Sequence, residues 1–127
     1  FIPKFIYLSL TNQPYTVFKG HKRIIDYVED SCYTFANITE NFKSGEVYNV
    51  GGKVEWEMDI KEYSDIVLDA TNGNKKLVTY KESEKFTTKI KTVDFSKAIK
   101  DLNHNPVVDP VEGIKRTTDW MKKTYGL

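Results

Sequence analysis

The fold class of this chain depends most on one stretch, Gly45-Glu46-Val47-Tyr48-Asn49-Val50-Gly51-Gly52. Residues 46–50 are rich in Val and Tyr, which favour strands, and glycines precede and follow them. On both sides of this predicted strand, apolar residues recur at the three- and four-residue spacing of helices. The sequence therefore predicts a mixed α/β fold.

The part of the chain before residue 45 predicts further elements of both kinds. A helix with Pro3 in its first turn ends before Pro14. Residues 15–18 and 24–28 are rich in β-branched and aromatic side chains and predict two strands, with a polar loop at residues 19–22 between them.

A second helix is predicted from about residue 29 to residue 38. We expect its Tyr33, Phe35 and Ala36 to be available for burial. Cys32 lies in the same apolar stretch, and we expect an inert buried thiol rather than a nucleophile.

The part of the chain after residue 52 predicts three more helices and a strand. Apolar spacing indicates a helix over residues 59–70, and residues 76–80 read as a short strand. Asp94 can cap the next helix, and Asn103 stands where a left-handed residue would end it. The last helix opens with Asp109-Pro110-Val111-Glu112, a capping-box arrangement with Asp as the cap.

Bulk composition limits the classes of partner. The 127 residues suit one domain. A net charge of +1 provides no general attraction for nucleic acid or an anionic membrane, and no apolar run reaches the roughly 18 residues of a membrane span. Because the chain has a single cysteine and no signal-peptide pattern, we expect a cytoplasmic location.

Four blocks of the sequence carry a resemblance to a known family, and they follow in that family's order and spacing. They are Arg23 followed by Tyr27-Val28-Glu29-Asp30, the Gly45 to Gly52 stretch, Asp94-Phe95-Ser96-Lys97-Ala98 with Leu102 and Pro106, and Glu112-Gly113-Ile114 with Thr118 and Trp120. The chain resembles the C-terminal part of the extended short-chain dehydrogenase/reductase family, which includes sugar-nucleotide epimerases and dehydratases.

The resemblance implies that residues 1–127 form the sugar-nucleotide-binding lobe of a larger enzyme. The parent protein would bind NAD(P) in an N-terminal Rossmann domain, act on a nucleotide sugar and form a homodimer. This chain opens without Met inside an apolar helical pattern, so we expect a fragment. No glycine-rich dinucleotide turn occurs in it, so we expect it to bind no cofactor and to be inactive alone.

The family's catalytic Tyr-x-x-x-Lys pair has one literal match, at Tyr15 and Lys19. Because the match follows Pro14 in a strand-like run, the two side chains would not share a helix face. We therefore interpret it as a chance occurrence.

Arg23 is the leading candidate for substrate binding. The resembling family uses this Arg to hold the diphosphate, and a guanidinium can grip phosphate oxygens with a bidentate fork. The alternative is a surface Arg paired with Asp26 or Glu29. The loop before Arg23 is about two residues shorter than in the family, and His21 and Lys22 either compensate as phosphate donors or are solvated.

Other polar residues complete the predicted site. Where many family members have a second phosphate-binding Arg this chain has Glu84, so Lys85 and Lys89 are candidates, with solvent-facing lysines as the alternative. Thr87 and Thr88 could donate hydrogen bonds in the same pocket. Asn49 ends the predicted strand, and the alternative is a structural Asn that satisfies a turn.

Three residues have structural interpretations. Trp56 either stacks on a base or packs half-buried, Asp30 braces the start of a helix, and His104 packs where the family has Trp. Because the chain has only two His and one Cys, we expect no metal site. The rival hypothesis for the whole chain is a free-standing binding or interaction module, which would bury its own apolar surface fully, whereas a fragment would expose an apolar patch. A nucleic-acid binder is a weaker third hypothesis.

Overall fold

The computed structural model describes residues 1–83 and 86–127. Within these residues it has five α-helices and five short strands, which confirms the mixed α/β class. The elements in chain order are α1 (Ile2–Leu10), β1 (Tyr15–Phe18), β2 (Lys22–Arg23), α2 (Val28–Asn41), β3 (Met58–Asp59), α3 (Ile60–Thr71), β4 (Val78–Lys81), β5 (Ile90–Lys91), α4 (Ser96–Leu102) and α5 (Pro110–Tyr125). Single 3-10 turns lie at Val54–Trp56 and Lys75–Leu77.

The strands form two small sheets. β1 pairs in parallel with β4, with Tyr15 opposite Val78. β2 lies between β3, which is antiparallel to it, and β5, which is parallel. Lys22 of β2 is opposite Asp59 on one side and Ile90 on the other, so β2 joins segments distant in sequence.

The main core lies between α1, α3, α5 and the β1–β4 sheet. Its buried side chains are Phe5, Ile6, Tyr15, Val17, Tyr63, Val67, Ile114 and Met121. The pair α2 and α4 packs beside this core. No helix in the described part of the chain is long and apolar enough to cross a membrane.

The helix ends follow the local sequence signals. Asp59 caps α3, and a full capping box forms with Glu62. Asp109 caps α5 by accepting from the amides of Val111 and Glu112. The Glu112 carboxylate accepts a hydrogen bond from Arg116. The helix therefore begins with the predicted Asp cap and Pro110, but without the second hydrogen bond of a capping box, from the Asp109 amide to Glu112. Asn103 ends α4 in the left-handed conformation with φ of 51°, as predicted.

Two predicted strands are absent from the described residues. Residues 24–27 are irregular and Val28 already begins α2, while residues 46–50 have no strand partner. The apolar pattern at residues 24–28 instead reflects packing, since Ile25 lies against the main core. Its carbonyl passes so close to Gly52 that a β-carbon there would lie 2.2 Å from the oxygen.

The burial predicted for α2 is wrong. Tyr33 is 71% exposed and Phe35 57% exposed, and Ala36 and Cys32 are exposed as well. The buried face of α2 carries Asp30 and Thr34, because these polar groups find partners there. An exposed Cys32 removes the expectation of a buried thiol.

Candidate functional site

The loop before Arg23 is fixed on the N-terminus of α3. The Asp59 carboxylate accepts from the Gly20 amide at 2.8 Å, and the Ile60 amide donates to the His21 carbonyl at 2.9 Å. Gly20 has φ of +77°, a conformation that glycine adopts without strain. These hydrogen bonds therefore fix the position of β2 relative to the start of α3.

A buried tyrosine forms a hydrogen bond with the backbone of Arg23. Tyr63 of α3 is fully buried, and its hydroxyl lies 3.0 Å from the carbonyls of both Arg23 and Trp56. Burial raises the pKa of Tyr63 to about 12, so the hydroxyl remains a donor at physiological pH. The backbone of Arg23 is thus tied to the core.

The guanidinium of Arg23 crosses from β2 to the segment before β5. Its Nη1 donates to the carbonyls of Lys22 at 2.6 Å and Lys89 at 3.2 Å, and its Nη2 donates to the Thr88 carbonyl at 2.9 Å. The alternative pairing with Asp26 or Glu29 is not what the structure shows. Of the five N–H groups of a guanidinium, Nε–H and one on Nη2 have no partner among residues 1–83 and 86–127.

A cleft of about 330 Å³ opens beside Arg23. Its lining residues are Phe1, Lys4, Phe5, Thr16, Phe18, His21, Arg23, Ile60 and Thr87. Three aromatic rings form part of the wall, and Lys4 and Arg23 supply cationic groups. We call it the Arg23 cleft.

Sequence reasoning missed the contribution of β1 to the Arg23 cleft. Tyr15 and Val17 are buried in the core, so the alternation of a strand turns Thr16 and Phe18 to the opposite side. That period-two pattern was a signal that could have identified both residues. One edge of β1 is paired with β4.

Most of the predicted site residues lie together. His21 is buried, lines the Arg23 cleft, and its Nδ1 lies 3.4 Å from the Thr88 carbonyl. Lys22 is exposed, and its backbone amide donates to the carbonyl of Lys89, the residue after Thr88, at 2.7 Å. Thr87 lines the cleft and Lys89 is exposed next to it.

One predicted site residue, Asn49, does not join this group. The side-chain amide of Asn49 donates to the Asp94 carbonyl at 3.2 Å, so it joins two distant segments rather than satisfying a local turn. Lys85 and its neighbour Glu84 lie outside the described residues.

The cationic side chains in and beside the Arg23 cleft form no ion pairs with other described residues. Lys4, Lys22, Arg23 and Lys89 form no ion pair with a carboxylate in the described part of the chain. The other arginine, Arg116, is in contrast bound by Glu112 and Glu29. Partly exposed cations without counter-charges next to aromatic walls suit an anionic ligand with an aromatic group.

Other candidates from the sequence have structural places. Tyr15 lies on β1, and burial raises its pKa, which is opposite to the activation a catalytic Tyr needs. Asp30 is buried and accepts from the amides of Val107 and Val108, so it braces a loop onto α2. Trp56 is half-buried in a 3-10 turn.

His104 packs in the interior, as predicted. Its Nδ1 lies 2.7 Å from the Thr34 hydroxyl and its Nε2 lies 2.7 Å from the Gly51 carbonyl. Within the described residues, no group of three or more His, Cys, Asp or Glu could hold a metal ion.

A second, mainly apolar cleft of about 390 Å³ lies between α1, the segment before α2, and α5. Residues on its wall include Ile2, Pro3, Tyr27, Val108 and Ile114. Several large apolar side chains elsewhere are also exposed, among them Phe35, Phe42, Val47 and Trp120.

Comparisons with known proteins identify relatives. No protein-family model matches the chain. A dTDP-glucose 4,6-dehydratase of Actinoplanes sp. is 28% identical over 123 residues, which are 95% of this chain and 38% of that enzyme. The structure of dTDP-glucose 4,6-dehydratase DesIV from Streptomyces venezuelae, with NAD bound, is similar with a TM-score of 0.84 at 23% identity, covering 98% of this chain and 38% of that one.

A further solved structure agrees with these two. UDP-glucuronic acid 4-epimerase from Bacillus cereus, in complex with UDP-glucuronic acid and NAD, has a TM-score of 0.80 at 25% identity, with 95% of this chain and 39% of that chain covered. In sequence and fold the chain is similar to sugar-nucleotide dehydratases and epimerases, and the partial coverage is consistent with the C-terminal part of an extended short-chain dehydrogenase/reductase. It spans 38% of the length of the Actinoplanes relative.

Proposed function

We propose that this chain is the nucleotide-sugar-binding portion of an NAD(P)-dependent sugar-nucleotide epimerase or dehydratase, and that it is inactive alone. The observation that carries the proposal is the Arg23 cleft, in which an anchored guanidinium and an uncompensated lysine lie beside aromatic walls. The relatives named above act on nucleotides with a dTDP or UDP group, whose diphosphate and base need these two kinds of surface.

Arg23 would hold the diphosphate. Its hydrogen bonds to the Lys22, Thr88 and Lys89 carbonyls fix the guanidinium plane and leave the Nε–H and one Nη2–H. These remaining N–H groups can donate to the oxygens of a phosphate. Binding costs little conformational entropy of the Arg23 side chain, because its carbonyl partners already hold it in place.

The base and the sugar-linked phosphate would lie against the rest of the cleft. Phe18 and the exposed Phe1 provide aromatic surface on which a base can stack, and Thr16 adds a polar group on the same face of β1 as Phe18. Lys4 of α1 and the neighbouring Lys22 and Lys89 add positive charge around the diphosphate.

NAD(P) does not fit the residues of this chain. A dinucleotide site needs a glycine-rich turn between a strand and a helix, so that backbone amides can approach the pyrophosphate. The seven glycines of the chain do not form this pattern, and Gly51-Gly52 is followed by a 3-10 turn. We therefore assign cofactor binding to a Rossmann domain elsewhere in a parent protein, which we expect to be a homodimer.

The rival, a free-standing module, has less support. Such a module would bury its apolar surface, yet Val28, Phe35, Phe42 and Val47 are each more than half exposed. The wide apolar cleft between α1 and α5 adds to this surface. Extensive exposed apolar surface is the feature that a lobe separated from a partner domain would have.

The proposal is tested with Arg23→Ala in the full-length parent. Losing a charge-assisted, bidentate contact costs about 1.5–3 kcal/mol, so the sugar-nucleotide Kd should rise about ten- to 150-fold while the NAD Kd stays constant. Arg23→Lys should recover only part, because an ammonium lacks the fork. Calorimetric titrations well below the melting temperature measure both constants.

Arg116→Ala is the matched control, since the only other arginine is held by Glu29 and Glu112. It should leave sugar-nucleotide binding unchanged. If Arg23→Ala lowers only the melting temperature and the sugar-nucleotide Kd is unaltered, Arg23 is structural and the proposed site is wrong.

A further inference from the structure

The imidazole of His21 lies on the wall of the Arg23 cleft, with its two nitrogens in different surroundings. The residue is only 5% exposed and lines the cleft. Its Nδ1 lies 3.4 Å from the Thr88 carbonyl, and because a carbonyl oxygen can only accept, Nδ1 carries a hydrogen. In a neutral imidazole with its hydrogen on Nδ1, the other nitrogen, Nε2, is an acceptor.

Nε2 of His21 is the ring atom that remains available to a ligand. It has no hydrogen-bond partner among residues 1–83 and 86–127. The buried side-chain atoms without a partner in that part of the chain are the hydroxyls of Tyr15 and Ser64, so Nε2 keeps contact with solvent. Since Nδ1 already carries a hydrogen, a proton that binds to His21 binds at Nε2 and changes that atom from an acceptor to a donor.

The Thr88 carbonyl holds His21 and Arg23 next to each other. The same oxygen accepts from Nη2 of Arg23 at 2.9 Å and lies beside Nδ1 of His21. The two residues are also two positions apart at the start of β2, and the alternation of an extended segment places their side chains on one face. An anion held by the remaining N–H groups of Arg23 is therefore expected close to the imidazole.

The charged side chains around His21 are mostly cationic. The cations on the adjoining elements are Lys4 of α1, Lys19 after β1, Lys22 and Arg23 of β2, Lys61 of α3, and Lys89 and Lys91 in or next to β5. Lys19 and Lys61 pair with Glu82 and Asp65, and the others form no ion pair with a described residue. Phe1, which lines the cleft, carries the α-amino group of the 127-residue chain. A protonated His21 would add one more positive charge to this set.

The carboxylates near His21 are used in other contacts. Asp59 accepts from the amides of Gly20 and Lys61, and Glu62 accepts from the amide of Asp59. Among the described residues, no carboxylate lines the cleft. On the cleft side of the ring, the negative charge that favours a protonated imidazole therefore comes from a bound anion.

Resting on the proposed function, we infer that His21 couples the binding of a nucleotide sugar to the uptake of one proton. Solvent supplies the proton, which forms an N–H bond at Nε2 as the diphosphate enters the cleft. The new Nε2–H then donates to a phosphate oxygen beside those bound by Arg23. Because an opposite charge within about 4–6 Å favours the charged form, binding and protonation strengthen each other. The site binds its ligand more tightly as the pH falls through the range in which histidine changes charge.

Calorimetric titration of the 127-residue chain with dTDP-glucose and with UDP-glucose, in buffers of different ionisation enthalpy, counts the protons. Both phosphates of these ligands are diesters, which lack the ionisation near pH 6 of a terminal phosphate, so a proton taken up binds to the protein. Between about pH 5 and pH 8, uptake should lie between zero and one proton. The Kd should fall by up to about tenfold for each unit by which the pH is lowered.

His21→Gln is the variant that keeps a donor and removes the titration. A glutamine amide can donate at every pH, so proton uptake should vanish and the Kd should no longer change with pH. Uptake that survives His21→Gln assigns the proton to another group, such as the α-amino group of Phe1, and overturns the inference.

Magnetic resonance of the two histidine rings tests the same point in the unaltered chain, whether or not the variant folds. Saturating nucleotide sugar should shift the ring signals of His21 toward those of the protonated form. His104 is the control in the same spectrum, because its ring nitrogens are occupied by the Thr34 hydroxyl and the Gly51 carbonyl, and its signals should not change in this way. A His21 ring that stays neutral with ligand bound contradicts the inference.

The outcomes separate the inference from the proposed function. Saturable binding with no proton uptake at any pH overturns the inference and leaves the proposed function standing. Affinity that decreases as the pH falls means that a neutral Nε2 accepts from a ligand hydroxyl or N–H group, which overturns the inference in the same way. If neither nucleotide sugar binds at any pH, the proposed function is wrong and the inference fails with it.

Discussion

At the residue scale, the candidate site is built from backbone contacts to charged side chains. Arg23 donates to three carbonyls, and Asp59 receives the Gly20 amide. Sequence reasoning identified Arg23, His21 and Lys89 as candidates from their residue types and register. The alternative interpretation, in which Arg23 pairs with Asp26 or Glu29, is wrong, because a backbone carbonyl 65 residues away in sequence leaves no trace in the local pattern.

Tyr63 gives a pH-dependent prediction at this scale. Its folded-state pKa of about 12 lies above the ordinary value of 10, so the stability it contributes is complete below pH 10 and is lost as the pH rises through 12. The loss amounts to at most about 2.7 kcal/mol, at 1.36 kcal/mol for each pH unit. Denaturant unfolding at intervals from pH 7 to pH 12 measures it.

Tyr63→Phe is the comparison for that series. At pH 7 the variant should be about 1 kcal/mol less stable, since the carbonyls of Arg23 and Trp56 lose their donor. Above pH 10 its stability should fall less steeply than that of the wild type. Parallel curves across this range would show that Tyr63 is not titrating as described.

At the element scale, the caps define the helices. Asp109 accepts two amides at the start of α5, and the buried residues Ile114, Thr118 and Met121 of this helix fill the core. Asp109→Ala should destabilise the chain by about 1 kcal/mol, and its melting temperature should fall by about 4 °C. Thermal unfolding followed by circular dichroism checks the shift.

Asp119→Ala provides the control, because Asp119 is exposed in the same helix. It should change the melting temperature by less than half as much. Equal losses in the two variants would mean that the Asp109 cap does not stabilise α5 beyond a general charge effect.

Helices could be predicted from this sequence better than strands. Capping residues and apolar spacing are local signals, and α1, α3, α4 and α5 lie close to where they indicated. The strands depend on distant partners, and residues 46–50 have the composition of a strand without a partner. The polar buried face of α2 also escaped prediction, since Asp30 and Thr34 are buried only because Val107, Val108 and His104 complete their hydrogen bonds.

At the scale of the whole molecule, the chain combines a cationic cleft with extensive exposed apolar surface. These features support the proposed role as a binding lobe. We expect the 127-residue chain to bind NAD no tighter than millimolar and to turn over no nucleotide sugar, because it has neither the glycine-rich turn nor a helical Tyr-x-x-x-Lys. Calorimetry with NAD and a coupled turnover assay check both points, and micromolar NAD binding would contradict the assignment.

The central claim is that the Arg23 cleft binds the nucleoside diphosphate part of a nucleotide sugar. An amide chemical-shift titration of the ¹⁵N-labelled chain with dTDP and with UDP tests it most directly. The account predicts saturable shifts concentrated at Thr16, Phe18, Arg23 and residues 87–89 for at least one nucleotide, lost in Arg23→Ala and retained in Arg116→Ala. Shifts confined to the apolar cleft between α1 and α5, or no saturable shift with either nucleotide, would contradict it.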